Sequence, residues 1–412
     1  MLNLNFHPAG RHFLQIPGPS PVPERILRAV SQPTIDHRGP EFGVLGLKVL
    51  AGLQRIFQTR HPVVIYPASG TGAWEAALVN TLSPGDKVLM YETGHFASLW
   101  RKMAERLGLQ PEFIALPGID AETGLPNSWR HGVAAELLGA RLRDDTGRAI
   151  KAVCVVHNET STGITSDIGA VRRAIDAAGH PALLMVDTIS GLASADYRHD
   201  EWGVDVTISG SQKGLMLPPG ISFNALSPKA IEVSRSAKLP RSFWAWDEIV
   251  EMNKDGYWPY TPNTNLLYGL AEAIDMILGE GLPNVFARHQ RLAAACRAAV
   301  QAWGMPTQCA DPAVHSPVLT GVVTPNGVDA DRIRKLIYER FNMSLGTGLG
   351  KLKGRMFRIG HLGDCNDLVL AATVSGCEMG LTLAGVPLRG SGIHATLEYL
   401  QATDTPAARY PE

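Results

Sequence analysis

Residues 63–225 alternate short apolar segments with longer segments whose apolar positions recur at helical spacing. The apolar segments predict strands at residues 63–66, 87–91, 112–115, 152–157, 182–186, 204–209 and 220–225. Helical periodicity appears at residues 24–30, 42–57, 74–81, 97–107, 134–142 and 167–178. Strands that alternate with helices form mostly parallel sheets with helices on both faces. The pattern therefore predicts an α/β fold whose large domain holds a mostly parallel, seven-stranded sheet.

The remainder of the chain predicts a second, smaller domain. A Trp-, Tyr- and Pro-rich stretch at 241–262 precedes a long helix-like segment at 265–303. An α+β pattern follows, with strands at 318–323 and 356–359 and helices at 330–341 and 367–383. A chain of 412 residues is longer than a domain with a single hydrophobic core usually is. We therefore predict a Pro-rich N-terminal arm (1–23), a large domain (24–285), a small C-terminal α+β domain (286–395) and a tail (396–412).

Composition narrows the classes of function. Hydrophobic residues make up 45% of the chain and charged residues 19%, with a formal net charge of -1. The charged residues form no basic stripe of the kind that nucleic-acid-binding proteins carry. No apolar run approaches the roughly 20 residues of a membrane span. The N-terminus lacks the apolar region of a signal peptide, and the five irregularly spaced cysteines predict free thiols. We therefore expect a cytoplasmic protein with no nucleic acid or membrane as partner.

Two predicted strands end beside a carboxylate and a lysine. The apolar run 182–186 leads into Asp187, and the run 204–209 leads through residues 209–212 (SGSQ) to Lys213. Ligands bind beyond the carboxyl ends of parallel strands, so both side chains should face one site. In a pyridoxal phosphate enzyme, the lysine forms a Schiff base with the cofactor aldehyde and the carboxylate keeps the pyridine nitrogen protonated. Taken alone, a strand-end aspartate is often a helix cap and a lysine is usually solvated.

A Gly-rich turn follows the first predicted strand of the sheet. Residues 68–75 (ASGTGAWE) contain Ser69, Gly70, Thr71 and Gly72 and lead into a helix. The glycines let the backbone approach an anion, and the free N–H groups of the first helical turn favour phosphate. An ordinary strand-to-helix turn explains the motif equally well. Residues 346–352 (GTGLGKL) lack the glycine spacing and the Ser/Thr of a P-loop, and no residue spacing predicts a metal site.

Together these motifs resemble the class V (fold type I) pyridoxal phosphate aminotransferases, and within them the serine/alanine–glyoxylate aminotransferase group. The resemblance covers nearly the whole chain and depends on the order and combination of its segments. They are residues 17–20 (PGPS), 69–72 (SGTG), 157–163 (HNETSTG), 186–187 (VD), 210–213 (GSQK), 257–262 (YWPYTP) and 355–360 (RMFRIG).

The resemblance implies a role for individual residues at the cofactor. Lys213 corresponds to the Schiff-base lysine, which also moves the proton between cofactor and substrate, and Asp187 corresponds to the pyridinium partner. Phe96 stands where the family stacks an aromatic ring, often a tryptophan, on the cofactor. Thr160 stands where a hydroxyl approaches the O3′ side. The implied phosphate site comprises Ser69, Gly70, Thr71, Gly72 and Gln212.

The resemblance also implies a homodimer with shared active sites. Tyr260 and Thr261 correspond to residues that reach the phosphate of the neighbouring subunit, although a shift in spacing makes Trp258 an alternative to Tyr260. His37 and Arg38 correspond to a loop that crosses the dimer and helps to choose the amino donor. A Pro-stiffened interdomain loop and a solvated loop arginine are the respective alternatives.

Arg358 matches the family's arginine for the substrate α-carboxylate, which a guanidinium binds through two parallel hydrogen bonds. The implied activity is a pyridoxal-phosphate-dependent transamination from a small L-amino acid to glyoxylate, which gives glycine and a 2-oxo acid. L-Serine, which yields hydroxypyruvate, is the preferred donor, and L-aspartate or L-alanine is the alternative. Two other classes stay open: a class V desulfurase or lyase, with Cys365 as the candidate thiol, and a non-enzymatic α/β binding protein.

Overall fold

The computed structural model describes residues 10–121 and 123–403. Its strands are β1 (Phe13–Gln15), β2 (Val63–Tyr66), β3 (Lys87–Tyr91), β4 (Gln110–Ile114), β5 (Ile150–Val156), β6 (Asn158–Glu159), β7 (Ile164–Thr165), β8 (Leu183–Asp187), β9 (Val206–Gly210), β10 (Ser222–Leu226), β11 (Leu319–Val323), β12 (Met343–Thr347) and β13 (Met356–Gly360). Its α-helices are α1 (Glu24–Val30), α2 (Pro40–Phe57), α3 (Gly70–Thr81), α4 (His95–Arg106), α5 (Ala135–Asp144), α6 (Ile168–Ala177), α7 (Pro228–Ser234), α8 (Trp246–Asn253), α9 (Thr264–Glu280), α10 (Leu282–Trp303), α11 (Ala330–Phe341), α12 (Asp367–Leu383) and α13 (Gly392–Ala402).

Seven strands form one sheet in the order β2-β10-β9-β8-β5-β3-β4. Strand β10 runs antiparallel to both of its neighbours, and the other pairs are parallel. The predicted α/β fold with a mostly parallel, seven-stranded sheet is therefore confirmed. Strands β2 and β8 are buried along their whole length, as continuous apolar runs in a covered sheet must be.

Local chemistry sets the ends of several helices. The Asp167 side chain caps α6 by accepting a hydrogen bond from Ala170 N. The single helix predicted at 265–303 is wrong in one respect, because the structure divides it into α9 and α10 at Gly281. Gly281 has a φ of 85°, which non-glycine residues rarely adopt, and a proline follows in the first turn of α10.

A second sheet, in the order β1-β12-β13-β11, lies in the C-terminal part of the chain. The predicted strands 318–323 and 356–359 and both predicted helices are present there. The sequence did not predict β12, which the chain enters at Asn342 with a left-handed φ of 51°. Strand β1 pairs in parallel with β12, so part of the predicted arm belongs to this sheet. Helix α13 continues past the predicted boundary at 395, and the tail after residue 403 lies outside the described residues.

Two apolar cores correspond to the two sheets. One core surrounds the seven-stranded sheet and ends at Val285, and the other begins at Leu292 and fills the small domain. Helix α10 therefore contributes to both cores and joins them. Among residues 10–121 and 123–403, no helix combines the length and the apolar character needed to cross a membrane.

Candidate active site

The carboxyl ends of β2, β8 and β9 meet at one edge of the seven-stranded sheet. Strand β8 ends on Asp187, whereas Ser69 and Lys213 follow shortly after β2 and β9. A cavity of about 200 Å³ lies at this edge. The structure brings eight of the predicted site residues to its walls: Ser69, Gly70, Thr71, Phe96, Thr160, Asp187, Gln212 and Lys213.

Asp187 is buried at the end of β8, with only 3% of its surface exposed. Its Oδ1 accepts a hydrogen bond from Ile189 N at 2.7 Å, and its Oδ2 accepts one from Trp74 Nε1 at 2.9 Å. Burial raises the pKa of Asp187 to about 7, and the two hydrogen bonds only partly oppose this rise. A positively charged ligand group in the cavity would therefore decide whether this carboxyl is ionised.

Lys213 approaches the cavity from the loop after β9. Its Nζ donates a hydrogen bond to Pro17 O at 2.5 Å. Burial lowers the pKa of the Lys213 ammonium to about 7, the Arg358 charge lowers it further, and Asp187 opposes both. A buried amine with this pKa is partly neutral near pH 7, and a neutral amine is a nucleophile and a base.

The N-terminal arm closes over this lysine. Gly18 has a φ of 99°, and a Cβ at this position would overlap the Lys213 side chain. Ser20 Oγ donates to Lys213 O at 2.9 Å, and Ser20 N donates to Gln212 O at 3.0 Å. Glycine at position 18 and the two contacts from Ser20 therefore keep the arm against the lysine loop.

The first turn of α3 faces the cavity without a side-chain cap. Ser69 is the N-cap residue, yet its side chain makes no capping hydrogen bond. Gly70 and Thr71 begin the helix at the cavity wall, and Gln212 stands opposite with its side-chain oxygen buried and unpaired. Backbone N–H groups at an open helix N-terminus bind anions well. This turn is therefore a candidate phosphate site.

The start of α4, in contrast, is capped by a buried carboxylate. Glu159 is fully buried and accepts hydrogen bonds from Phe96 N at 3.3 Å and Ala97 N at 3.1 Å. It also accepts from the backbone N–H of Ser161 at 3.0 Å and the Ser161 hydroxyl at 2.6 Å. These bonds hold Phe96 at the cavity wall.

Arg358, on β13, reaches the site from the small domain. It is 6% exposed, its Nε donates to Thr347 O at 2.8 Å, and its Nη1 donates to Thr160 O at 2.6 Å. Both acceptors are neutral carbonyls, so they do not balance the charge. Burial lowers the pKa of Arg358 to about 10, which still leaves the guanidinium charged near pH 7. The nearby Glu159 carboxylate opposes this fall, and a carboxylate ligand would add paired hydrogen bonds to the guanidinium.

The structure places the other predicted site residues away from the cavity of their own chain. Tyr260 donates from its hydroxyl to Ile65 O at 3.0 Å, and Thr261 is exposed beside it. Arg38 is exposed and His37 is half-buried in the loop before α2. At Gly72 a Cβ would overlap Trp244, so this glycine serves helix packing rather than the cavity wall.

Sequence reasoning missed several residues that support the site. Trp74 donates to Asp187, and Asn158 lines the cavity inside the segment 157–163. Trp74 lies four residues after Gly70 in α3, so helical spacing places both on one face, and that signal was available. Pro17 belongs to the recognised segment 17–20, but nothing in that segment predicted that its carbonyl contacts Lys213. Within the described part of the chain, no cluster of three or more His, Cys, Asp or Glu side chains has metal-binding geometry.

Comparison with known proteins identifies the family of this chain. Residues 29–352 match the family model described as Aminotransferase class-V. An L-aspartate–glyoxylate aminotransferase of Paracoccus denitrificans is 44% identical over 397 residues, which cover 96% of this chain and 97% of the relative. A serine–glyoxylate aminotransferase of Methylorubrum extorquens is 45% identical over 399 residues, which cover 95% of this chain and 96% of the relative.

The fold has a solved counterpart as well. The crystal structure of pyridoxamine-pyruvate aminotransferase from Mesorhizobium loti matches with a TM-score of 0.86 and 26% identity, covering 97% of this chain and 100% of that chain. The family model spans well over half of the sequence, and the relatives match along nearly their whole length. The chain therefore belongs to the class V aminotransferase family.

Proposed function

We propose that this aminotransferase uses pyridoxal 5′-phosphate to move the amino group of a small L-amino acid to glyoxylate, with L-serine as the preferred donor. The products are then hydroxypyruvate and glycine. One observation carries the proposal: Asp187, Lys213 and the open first turn of α3 face a single buried cavity, with Arg358 beside it. This set supplies a carboxylate, an amine, an anion site and a carboxylate receptor.

The residues at the cavity fit this cofactor. The uncapped turn at Ser69, Gly70 and Thr71 suits its phosphate, and the Gln212 side chain, whose oxygen is unpaired, could donate from its NH2 group to that phosphate. Asp187 would face the ring nitrogen, and Phe96 would cover the ring. When bound, the cofactor supplies an electron sink for the bonds at the substrate α-carbon.

The chain's own residues then perform the remaining tasks. Lys213 Nζ, with its pKa lowered to about 7 by burial, would hold the cofactor and would take and return the α-proton. Arg358 holds the α-carboxylate and thereby orients the α-hydrogen. Asp187 would face the ring nitrogen and keep it protonated. Thr160, whose hydroxyl donates to Ser190 Oγ at 2.7 Å, would approach the O3′ side.

The choice of donor follows from charge. The relatives are named for L-aspartate and for serine, and glyoxylate appears in both names. Among the described residues at the cavity wall, Lys213 is the one cationic side chain, so the second carboxylate of aspartate lacks a partner there. Serine needs none. Aspartate is the second candidate, and Arg38 of the partner subunit would supply the missing charge in a homodimer.

A homodimer is part of the proposal. Helices α1 and α2 expose Leu27, Val44 and Leu47, with Val44 70% exposed. These side chains flank the loop with His37 and Arg38 in the sequence, and burying them in a dimer would bring that loop to a neighbouring molecule. Tyr260 and Thr261, which do not reach their own cavity, would then contribute to the neighbour's site. We also place the protein in the cytoplasm, since its five cysteines are free.

The desulfurase alternative lacks a suitable thiol. All five cysteines are buried, and burial raises the pKa of Cys365 to about 12. A catalytic cysteine must instead be accessible and readily deprotonated.

Borohydride reduction tests the cofactor lysine. Reduction of the holoenzyme followed by peptide mapping should place the pyridoxyl group on the peptide that contains Lys213. Lys213→Ala should lose this label and transaminase activity by several orders of magnitude. Lys351→Ala, which removes a lysine that pairs with Glu92 outside the cavity, is the control and should keep both. A pyridoxyl group on any other lysine would refute the assignment.

A donor panel tests specificity. With glyoxylate as acceptor, kcat/KM should be highest for serine, and Arg358→Ala should lower it for serine, alanine and aspartate alike by roughly 30- to 1000-fold. Arg358→Lys should recover part of the loss. Arg38→Ala should instead change the ratio between donors, with aspartate losing more than alanine. A common factor for all three donors would contradict the role of Arg38 in donor choice.

A further inference from the structure

A second, larger cavity of about 700 Å³ lies outside the active site, between α10 and residues 304–315. We name it the arginine groove after Arg130, Arg297 and Arg389, which line it together with His315 and Thr307. No acidic side chain is among the lining residues in the part of the chain that the structure describes. The groove wall therefore carries three guanidinium groups, of which Arg130 pairs with Asp120 behind the wall.

Arg130 enters this groove from the large domain. Its side chain is only 4% exposed, and its Nε lies 3.2 Å from Asp120 Oδ2. Its Nη1 is buried without a hydrogen-bond partner. An unpaired guanidinium nitrogen at this depth costs free energy unless a ligand or a water satisfies it.

Arg297, on α10, is also incompletely paired. Its Nη1 makes a long hydrogen bond of 3.4 Å to Ser316 O. Burial lowers the pKa of its guanidinium, and the nearby groups that favour its charged form are two thiols and the Tyr399 phenol rather than carboxylates. Arg389 is exposed at the rim. One buried, one half-buried and one exposed arginine thus line the same groove.

We propose that the arginine groove binds a compact dianion, a phosphate ester or a dicarboxylate, and that this binding regulates the active site. Planar guanidinium groups bind such anions through paired hydrogen bonds. The volume suits a small metabolite rather than a bare ion. Thr307 and Gln301 add neutral hydrogen-bonding groups for the rest of the ligand.

A chain of hydrogen bonds, the first long and the others short, joins the groove to the active site. Arg297 contacts Ser316 O, and Ser316 Oγ donates to Asn158 Oδ1 at 2.6 Å. Asn158 Nδ2 donates to Ser190 Oγ at 2.8 Å, and Thr160 Oγ1 donates to the same oxygen at 2.7 Å. Asn158 and Thr160 line the catalytic cavity. An anion that draws Arg297 away from Ser316 changes the support of both.

Calorimetric titration of the holoenzyme tests binding. The cofactor occupies the phosphate site of α3, so inorganic pyrophosphate and malonate report on the groove at low salt. We expect at least one to bind the wild type, and its affinity should fall about 10-fold or more in the double variant Arg297→Gln/Arg389→Gln. The charge-matched control Arg332→Gln/Arg340→Gln, at two exposed positions of α11, should bind as the wild type does.

The two probes also distinguish the ligand classes. Binding of pyrophosphate alone indicates a phosphate ester, and binding of malonate alone indicates a dicarboxylate. Binding of malonate at Arg358 differs from binding in the groove in two ways: glyoxylate competes with it, and the double variant retains it. Absence of binding at millimolar concentration, or equal affinity in the wild type and the double variant, overturns the proposal.

Kinetics test the coupling, which rests on the transaminase function proposed above, whereas the titration does not. A saturating probe should change kcat/KM of the wild type by about 5-fold or more. Ser316→Ala should keep the affinity for the probe and lose its kinetic effect, because the contact to Asn158 is gone. An unchanged kinetic effect in Ser316→Ala overturns the coupling route. Failure of transamination itself would leave the binding result intact.

Discussion

Two buried carboxylates, Asp187 and Glu159, lie at the same edge of the sheet in opposite surroundings. Asp187 lines the cavity and accepts two hydrogen bonds, from Ile189 and Trp74. Glu159 accepts four, three of them from backbone N–H groups, and does not line the cavity. The comparison shows that the sparsely paired carboxylate is available to a ligand, whereas the saturated one holds the cavity walls.

The two adjoining helix ends show the same contrast. The start of α4 is closed by Glu159, so its first N–H groups are satisfied within the protein. The start of α3 has no side-chain cap and faces the cavity. Because helix N-termini attract anions, an uncapped one beside a cavity indicates where the ligand's own anion binds. Variants of Asp187, Glu159 and Trp74 test whether different residues bind the ligand and support the cavity.

Among variants of the two carboxylates and their donors, Asp187→Asn should produce the largest change in activity. A neutral amide cannot keep the cofactor ring nitrogen protonated, so kcat should fall on the order of 10²- to 10³-fold. The free energy of unfolding should change by about 1 kcal/mol or less, because the amide keeps the size of the carboxyl. Steady-state kinetics and urea denaturation measure the two effects. Near-normal turnover would make Asp187 a structural acceptor like Glu159.

Glu159→Gln should show the opposite balance. The amide retains one acceptor oxygen but turns an N–H₂ group towards backbone donors, which costs about 2–4 kcal/mol of unfolding free energy. Activity should fall by about 10-fold or less, through displacement of Phe96. Glu136→Gln, in the exposed first turn of α5, is the control and should cost about 0.5 kcal/mol or less. An activity loss as large as that of Asp187→Asn would erase the distinction.

The sequence predicted the ligand-binding residues Asp187 and Lys213 better than it predicted the supporting role of Glu159. Asp187 and Lys213 follow apolar runs directly, and the parallel sheet places strand ends together whatever the loops do. Glu159 lies in the segment 157–163, yet its capping of α4 spans 62 residues of sequence. The contact of Arg358 with Thr160 spans 198 residues. No local pattern encodes such pairs, because they arise only when the two domains pack.

The same reason explains the differences in the fold. Strands β2 and β8 are apolar enough to be recognised alone. Strand β1 has three residues and becomes a strand only by pairing with β12, far along the chain. The division of α9 from α10 had a local signal, because Gly281 and the following Pro283 oppose a continuous helix.

Trp74→Phe should sharpen the comparison with a smaller effect. It removes the donor to Asp187 Oδ2 and keeps an aromatic ring stacked near Trp100, at a centroid distance of 5.9 Å. Loss of this bond destabilises the carboxylate, so the pKa of Asp187 should rise further and kcat should fall roughly 10-fold. Trp100→Phe is the matched control, since Trp100 Nε1 is buried without a partner and its removal breaks no hydrogen bond. Equal losses in the two variants would assign the effect to packing.

The smallest expected effect is the pH dependence of stability in the cofactor-free protein. Burial raises the pKa of folded Asp187 from 3.8 to about 7, so the folded state binds the proton more tightly than the unfolded state. The stability from this group is therefore fully present below about pH 4 and is lost as the pH rises to about 7. Lys213 behaves in the opposite way: burial lowers its pKa from 10.5 to about 7, so stability should rise between those two values. Subtracting the melting temperature of Asp187→Asn from that of the wild type, pH by pH, isolates the first window, and Lys213→Met isolates the second. If the difference in melting temperature between the wild type and Asp187→Asn stays constant from pH 4 to 7, the pKa of Asp187 is not raised. The contrast between the two carboxylates would then fail.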